Sequence, residues 1–139
     1  MISAMHQHPR RRFSASEAIR AVRAVQNTEK RNFPTVSVVF TTSTFIRRIN
    51  RKFLRHDYAT DVITFTLEAK GSEAELYINL DLAKTQAESY KVSYTAEVRR
   101  LIVHGMLHLC GYKDQTSDQK SAMRRRENTY LKRLESTKR

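Results

Sequence analysis

The chain has 139 residues, and its 26 Lys and Arg outnumber 14 Asp and Glu, for a formal net charge of +12. That length with ordinary apolar content points to one domain and excludes general disorder, and no apolar run approaches the roughly 18 residues of a membrane span. The single cysteine, Cys110, excludes an internal disulfide, and the N-terminus lacks the apolar stretch of a signal peptide, so the expected compartment is the cytoplasm.

Met1–Phe13 contains His6, His8, Pro9 and three arginines but few apolar residues, and reads as a flexible basic arm ahead of one domain over 14–139. Ser14 or Ser16 starts a helix to about Lys30, with Ala18, Ile19, Val22 and Val25 at helical spacing. Phe33-Pro34 ends it, and Val36–Phe40 is a β-branched strand. One of Thr41–Ser43 caps a helix over Thr44–Arg55 that turns Phe45, Ile46, Ile49 and Phe53 to one face. Thr60–Leu67 is a strand, Lys70–Ala74 a turn, and Leu76–Leu80 a further strand ended by Asp81, which caps a helix to about Tyr90. Tyr94–Cys110 is a long helix. Thr116 or Ser117 caps the last, which runs to about Leu134 with Ala122, Met123, Tyr130 and Leu134 inward. Strands and helices in this mixed order predict an α+β fold; a fourth strand near Ile2 or Val92 stays open.

The charge is uneven. Met1–Arg31 and Lys113–Arg139 each carry a net +5, the middle only +2. Such a field attracts polyanions with strong salt dependence. A nucleic acid is the favoured partner, reached partly through the arm; solvated basic tails are the alternative, and a membrane surface comes third because the basic segments lack an aromatic face. No stable protein partner can be read from the sequence.

The chemistry concentrates in Leu101–Asp114. His104 and His108, four residues apart on an apolar helix, stack on one face, a spacing that lets two imidazoles bind one metal ion. Gly111 can take the left-handed conformation that ends a helix, and the returning chain can bring Asp114 to the same ion. Two histidines and a carboxylate with a position left over describe a catalytic rather than a structural metal. A plain surface or cap pair is the alternative for the histidines. Gly105 stands where a His-Glu-x-x-His protease carries its general base, so that mechanism is disfavoured; the glycine is expected to leave room for substrate. The donor set also describes an iron facial triad, but the tight histidine pair suits zinc better, one ion per chain. Cys110 reads as a small core residue rather than a nucleophile.

His104-Gly105-x-Leu107-His108-Leu109-x-Gly111-Tyr112 resembles the signature of the YbeY-type metal-dependent endoribonucleases, the rRNA maturation factors. The resemblance extends to Asn50-x-x-Phe53-Leu54-Arg55, to Thr60–Phe65, to Glu75–Ile78, and to Met123 and Glu127. That signature normally continues Asp-His. Here Lys113 and Asp114 stand in those places, so Asp114 falls where the family has its third ligand.

The resemblance implies a small mixed sheet packed with about five helices and a metal site in a cleft beside the histidine helix. It implies a single-strand-specific endoribonuclease acting on rRNA precursors and ribosomal particles, in 16S rRNA processing and ribosome quality control, with His104, His108 and Arg55 as catalytic residues. A guanidinium fork suits phosphate oxygens; on the residues alone, a solvated arginine at a helix end is the commoner case. Lys113 could add positive charge or simply be solvated. Asp61 could accept from a ligand histidine or, slightly favoured, from local backbone, and Glu127 reads as an ion-pair or cap partner. The rival functions are a metallohydrolase of a small phosphoester or amide and a non-catalytic ribosome assembly factor with a structural metal.

Overall fold

The computed structural model describes residues 1–67 and 73–136. The fourth strand left open near Ile2 or Val92 is at Ile2: Ile2–His6, otherwise read as part of a flexible arm, forms strand β1, which pairs in parallel with β2 (Val36–Thr41), Ile2 opposite Val36 and His6 opposite Phe40. Ile2 and Ala4 pack on the core while Ser3 and Met5 face solvent. Two modest apolar residues give a weak period-two signal, and the backbone ladder to β2 supplies the rest.

The arginine run behind β1 is tied down as well. His8 is buried; its Nδ1 accepts the Arg10 and Arg11 amides, so its Nε2–H donates to Asp81 at 2.7 Å. Arg11 reaches the same carboxylate oxygen. Asp81, expected as a helix cap, is therefore the anchor of this segment, and the cap is Asn79, whose side chain accepts from the Leu82 amide. Deleting Met1–Arg12 would remove an edge strand and its anchor, so such a truncation does not isolate RNA contacts.

Ser14 caps α1 (Ala15–Glu29) by accepting from the Glu17 amide. Thr42 caps α2 (Ser43–Ile49), after which Asn50–Leu54 widens into one π-helical turn. The change of period carries Phe53 off the buried face of Ile46 and Ile49, and Phe53 is 60 % exposed rather than inward. Strand β3 (Val62–Leu67) pairs antiparallel with β4 (Glu73–Asn79), and β4 pairs in parallel with β2, giving the order β1-β2-β4-β3. Of the turn expected over Lys70–Ala74, Glu73 and Ala74 belong to β4; its other positions lie outside the described residues. Helices α3 (Leu80–Tyr90), α4 (Tyr94–Leu109) and α5 (Ser117–Ser136) complete the single domain. Among the described residues no helix is long and apolar enough to cross a membrane.

The main core lies on one sheet face, where Val36, Val38, Phe40, Leu76 and Ile78 meet Ala21, Val22 and Val25 of α1 and Leu101, Ile102 and Met106 of α4. A smaller cluster of Ile46, Ile49 and Ile63 closes the other face under α2. On α5, Met123, Tyr130 and Leu134 are buried as expected. Ala122 is exposed, and the inward position between Met123 and Tyr130 belongs to Glu127.

Gly105 has a structural purpose rather than the expected one. A Cβ there would stand 2.9 Å from Leu76 Cδ2, 3.1 Å from Val62 Cγ1 and 3.3 Å from Thr64 Cγ2. The glycine lets α4 lie close on β3 and β4 and opens no space toward a substrate. Gly105→Ala is expected to cost about 1–3 kcal/mol by overpacking, less about 0.8–1 kcal/mol gained in helix propensity. Its urea midpoint should fall; a raised midpoint would show that the sheet yields freely.

Candidate metal centre

Ser93 caps α4, and the apolar stripe of that helix faces the sheet. His104 and His108 lie one turn apart at the edge of the stripe, their side chains 18 % and 30 % exposed. The helix ends at Gly111, φ +103°. The Tyr112 amide donates to the Leu107 carbonyl and the Gly111 amide to the His108 carbonyl. This is the double bond pattern of a Schellman turn, with glycine at its left-handed position. The turn sends the chain back over the helix end, and the Tyr112 hydroxyl pins it by donating to Glu29 of α1 at 2.8 Å.

Three donors then converge. The two Nε2 atoms of His104 and His108 are 3.0 Å apart, and Asp114 Oδ2 lies 3.4 Å from the first and 3.3 Å from the second. The opposite nitrogens are both engaged: His104 Nδ1 with Glu127 Oε2 at 2.5 Å, His108 Nδ1 with the Tyr112 carbonyl at 3.0 Å. A carboxylate and a carbonyl only accept, so each Nδ1 carries the proton it donates. In the neutral rings, both Nε2 lone pairs therefore point at each other and at a carboxylate oxygen. Three acceptors without a proton between them repel unless one ring is charged or a cation joins them. Bonds of about 2.0–2.2 Å from zinc to nitrogen and oxygen require donor separations of this order. The residues present fit a divalent ion.

The support behind His104 is a chain of buried charge. Glu127, 1 % exposed, accepts from His104 and from Arg100 Nη1 at 3.3 Å. Arg100 in turn grips Glu97, also buried, through Nε and Nη2. Burial is the largest influence on the Arg100 pKa and lowers it, but Glu97 and Glu127 outweigh it and the net shift is upward. Burial likewise opposes the charged form of His104. The Glu127 hydrogen bond and charge, followed by Asp61 and Asp114, together exceed that opposition and raise the pKa.

A cleft of about 190 Å³ opens beside the donors, between α4 and α5, with His104, Asp114, Lys120 and Arg124 among its lining residues. Arg55 does not line it. Arg55 is exposed at the end of the π-helical turn, in the left-handed conformation with φ 57°; its amide donates to the Asn50 carbonyl, and its side chain has no hydrogen bond or ion pair among the described residues. Asp61 bonds neither a ligand histidine nor its own local backbone through its carboxylate; its Oδ2 accepts from Gln86 at 3.4 Å. Lys113 is exposed. Cys110 packs on the core and burial raises its thiol pKa, as befits a core residue.

Glu127, expected as an ion-pair or cap partner, is an ion-pair partner, of Arg100 and His104; that it stands behind the metal donors, with Arg100, Lys120 and Arg124 close by, is not readable from the sequence. A signal was present for Glu127: it interrupts the inward stripe of Met123, Tyr130 and Leu134, and a buried acid needs a partner.

Fold and site together define an α+β protein with a candidate His-His-Asp metal centre at the mouth of a basic cleft. Residues 4–135 match the model of a family described as endoribonuclease YbeY. Proteins of that name from Chlorobaculum parvum and Salinibacter ruber are similar to this chain. The first is 41 % identical over 115 residues, 82 % of each chain, and the second 34 % identical over 140 residues, 94 % of this chain and 89 % of the relative. The solution structure of a Thermotoga maritima protein shares the fold, with a TM-score of 0.63 at 21 % identity, covering 96 % of this chain and 89 % of that one. The chain belongs to the endoribonuclease YbeY family.

Proposed function

We infer that the chain is a metal-dependent endoribonuclease that cuts single-stranded RNA in rRNA maturation, 16S rRNA processing and ribosome quality control, acting in the cytoplasm on rRNA precursors and ribosomal particles. The observation that carries this reading is the convergence of His104 Nε2, His108 Nε2 and Asp114 Oδ2 beside a basic cleft in a member of this family.

Those three residues would hold one zinc ion per chain. Once bound, the ion supplies Lewis acidity toward a phosphodiester and makes a nearby water more acidic. The other groups do the positioning. Glu127 accepts the His104 Nδ1 proton and the Tyr112 carbonyl accepts that of His108, which orients both rings. Arg55, whose guanidinium has no partner among the described residues, offers a planar fork to phosphate oxygens. A small phosphoester would not need the flanking positive charge, and a structural metal would not need a donor set with a position left over; the two rival functions are disfavoured on those grounds.

The test is incubation of zinc-loaded protein with single- and double-stranded RNA. The parent should cut the single strand preferentially. Arg55→Ala should keep its zinc and lose about ten- to hundredfold in cleavage rate, the worth of a charge-assisted hydrogen bond of about 1.5–3 kcal/mol. Arg55→Lys should rescue poorly. A parent that leaves single-stranded RNA intact overturns the endonuclease reading; an Arg55→Ala variant as fast as the parent removes Arg55 from it.

A further inference from the structure

The cleft beside the donors has more positive charge than holding a metal requires. Of its titratable lining residues, Arg100 and His104 are each bonded to Glu127, and Asp114 faces the two imidazoles. Lys120 and Arg124 remain. Both are exposed, and neither side chain has a hydrogen bond or ion pair among the described residues. They stand four apart on α5, so they share one helix face, and Glu127 continues that face into the floor of the cleft. The two carboxylates nearest them in the cleft, Asp114 and Glu127, are already directed at the histidines and at Arg100. These two cations therefore face an open cleft without a local counter-ion, next to the group that would hold the metal.

We propose that Lys120 and Arg124 form a phosphate subsite, which binds the backbone of a single RNA strand at a nucleotide flanking the one presented to the metal group. The subsite rests on the RNA reading above and deepens it. A small phosphoester has one phosphate and leaves the subsite empty; a polynucleotide fills both positions. The α5 wall of the cleft then selects a polymer and sets the direction in which the strand leaves the site. Arg55 lies outside this wall, so the two contributions are separable.

The experiment measures binding of a labelled single-stranded 2′-O-methyl oligonucleotide, which cannot be cut through its own 2′-hydroxyl, to zinc-loaded protein across a salt series. The proteins compared are the parent, the K120Q/R124Q variant, and a control, R125Q/K132Q, which removes equal charge from exposed positions of α5 outside the cleft lining. Each single-strand phosphate contact contributes about 0.7 to the slope of log K against log salt. K120Q/R124Q should therefore be shallower by about 1.4, which is about 25-fold weaker binding at about 0.1 M salt relative to its behaviour near 1 M. The control should keep the parent slope, and all three should hold equal zinc.

Equal losses in the two double variants would mean bulk charge and overturn the subsite, as would a parental slope in K120Q/R124Q. Loss of zinc from K120Q/R124Q would assign the effect to the metal group and overturn it equally. A zinc-loaded parent that does not bind the strand at all overturns the RNA reading itself, and the subsite with it.

Discussion

Replacing His104 and His108 together by Ala should abolish stoichiometric zinc binding and RNA cleavage while leaving a folded protein. The two Nε2 atoms supply two of the three converging donors, and Asp114 alone offers only one oxygen of a partly exposed carboxylate. Both rings lie at the rim of α4 rather than inside the core, so the metal-free chain should still fold, less stable because Glu127 keeps only Arg100 as a partner. Metal binding is linked to folding: the parent should gain about 2.7 kcal/mol of stability at free zinc near one hundred times its Kd, and the double variant should gain nothing. Zinc content after dialysis and thermal unfolding with and without zinc read this directly. One zinc retained with parental affinity in the double variant would sink the assignment. The single variants at Asp114 test the third donor. Asp114→Ala should weaken zinc binding, whereas Asp114→His, which puts a neutral donor in the same place, should keep it.

Glu127 carries the second large effect, and it divides into two measurable parts. Glu127→Gln keeps the shape but turns an amide against Arg100 or His104, and loses the full charge that holds the His104 ring. Removing such a partner behind a metal ligand typically costs about 10–100-fold in metal affinity. Glu127→Ala goes further and leaves Arg100, whose side chain is 11 % exposed, with Glu97 alone. Breaking a buried pair costs about 3–5 kcal/mol. The retained Glu97 contact argues for the low end, about 3 kcal/mol. Urea unfolding of the metal-free protein measures the second part and chelator competition the first. Parental zinc affinity in Glu127→Gln would show that the carboxylate does not position His104.

The positions whose placement is legible in the sequence share one property: their geometry is set within a few positions of the chain. His104 and His108 stand on one face because a helix repeats every 3.6 residues, and the strong apolar content of Leu101–Leu109 marks that helix. Gly111 turns the chain because it takes φ +103° with no Cβ to oppose it. Ser14 caps α1, and Thr116 closes on the Gln119 amide, both by hydroxyls that reach three residues along. Asp114 follows from these, since a Schellman turn of known form returns the chain over the helix end.

Apart from Phe53, which a local π-helical turn carries outward, what the sequence left undecided comes from far along the chain. The sequence by itself determined the histidine pair, the turn behind it and the strand character of β2, β3 and β4, because helical periodicity, backbone stereochemistry and β-branched content suffice for each. Only the tertiary structure decided that Glu127 of α5 faces His104, that residues 2–6 add an edge strand to β2, that Asp81 anchors His8 rather than capping α3, and that Gly105 serves the contact of α4 with Leu76 and Val62. The physical reason is the same in each case: a buried charge, a ladder bond or a close approach takes its stability from a partner tens of residues away, and nothing in the local pattern names that partner.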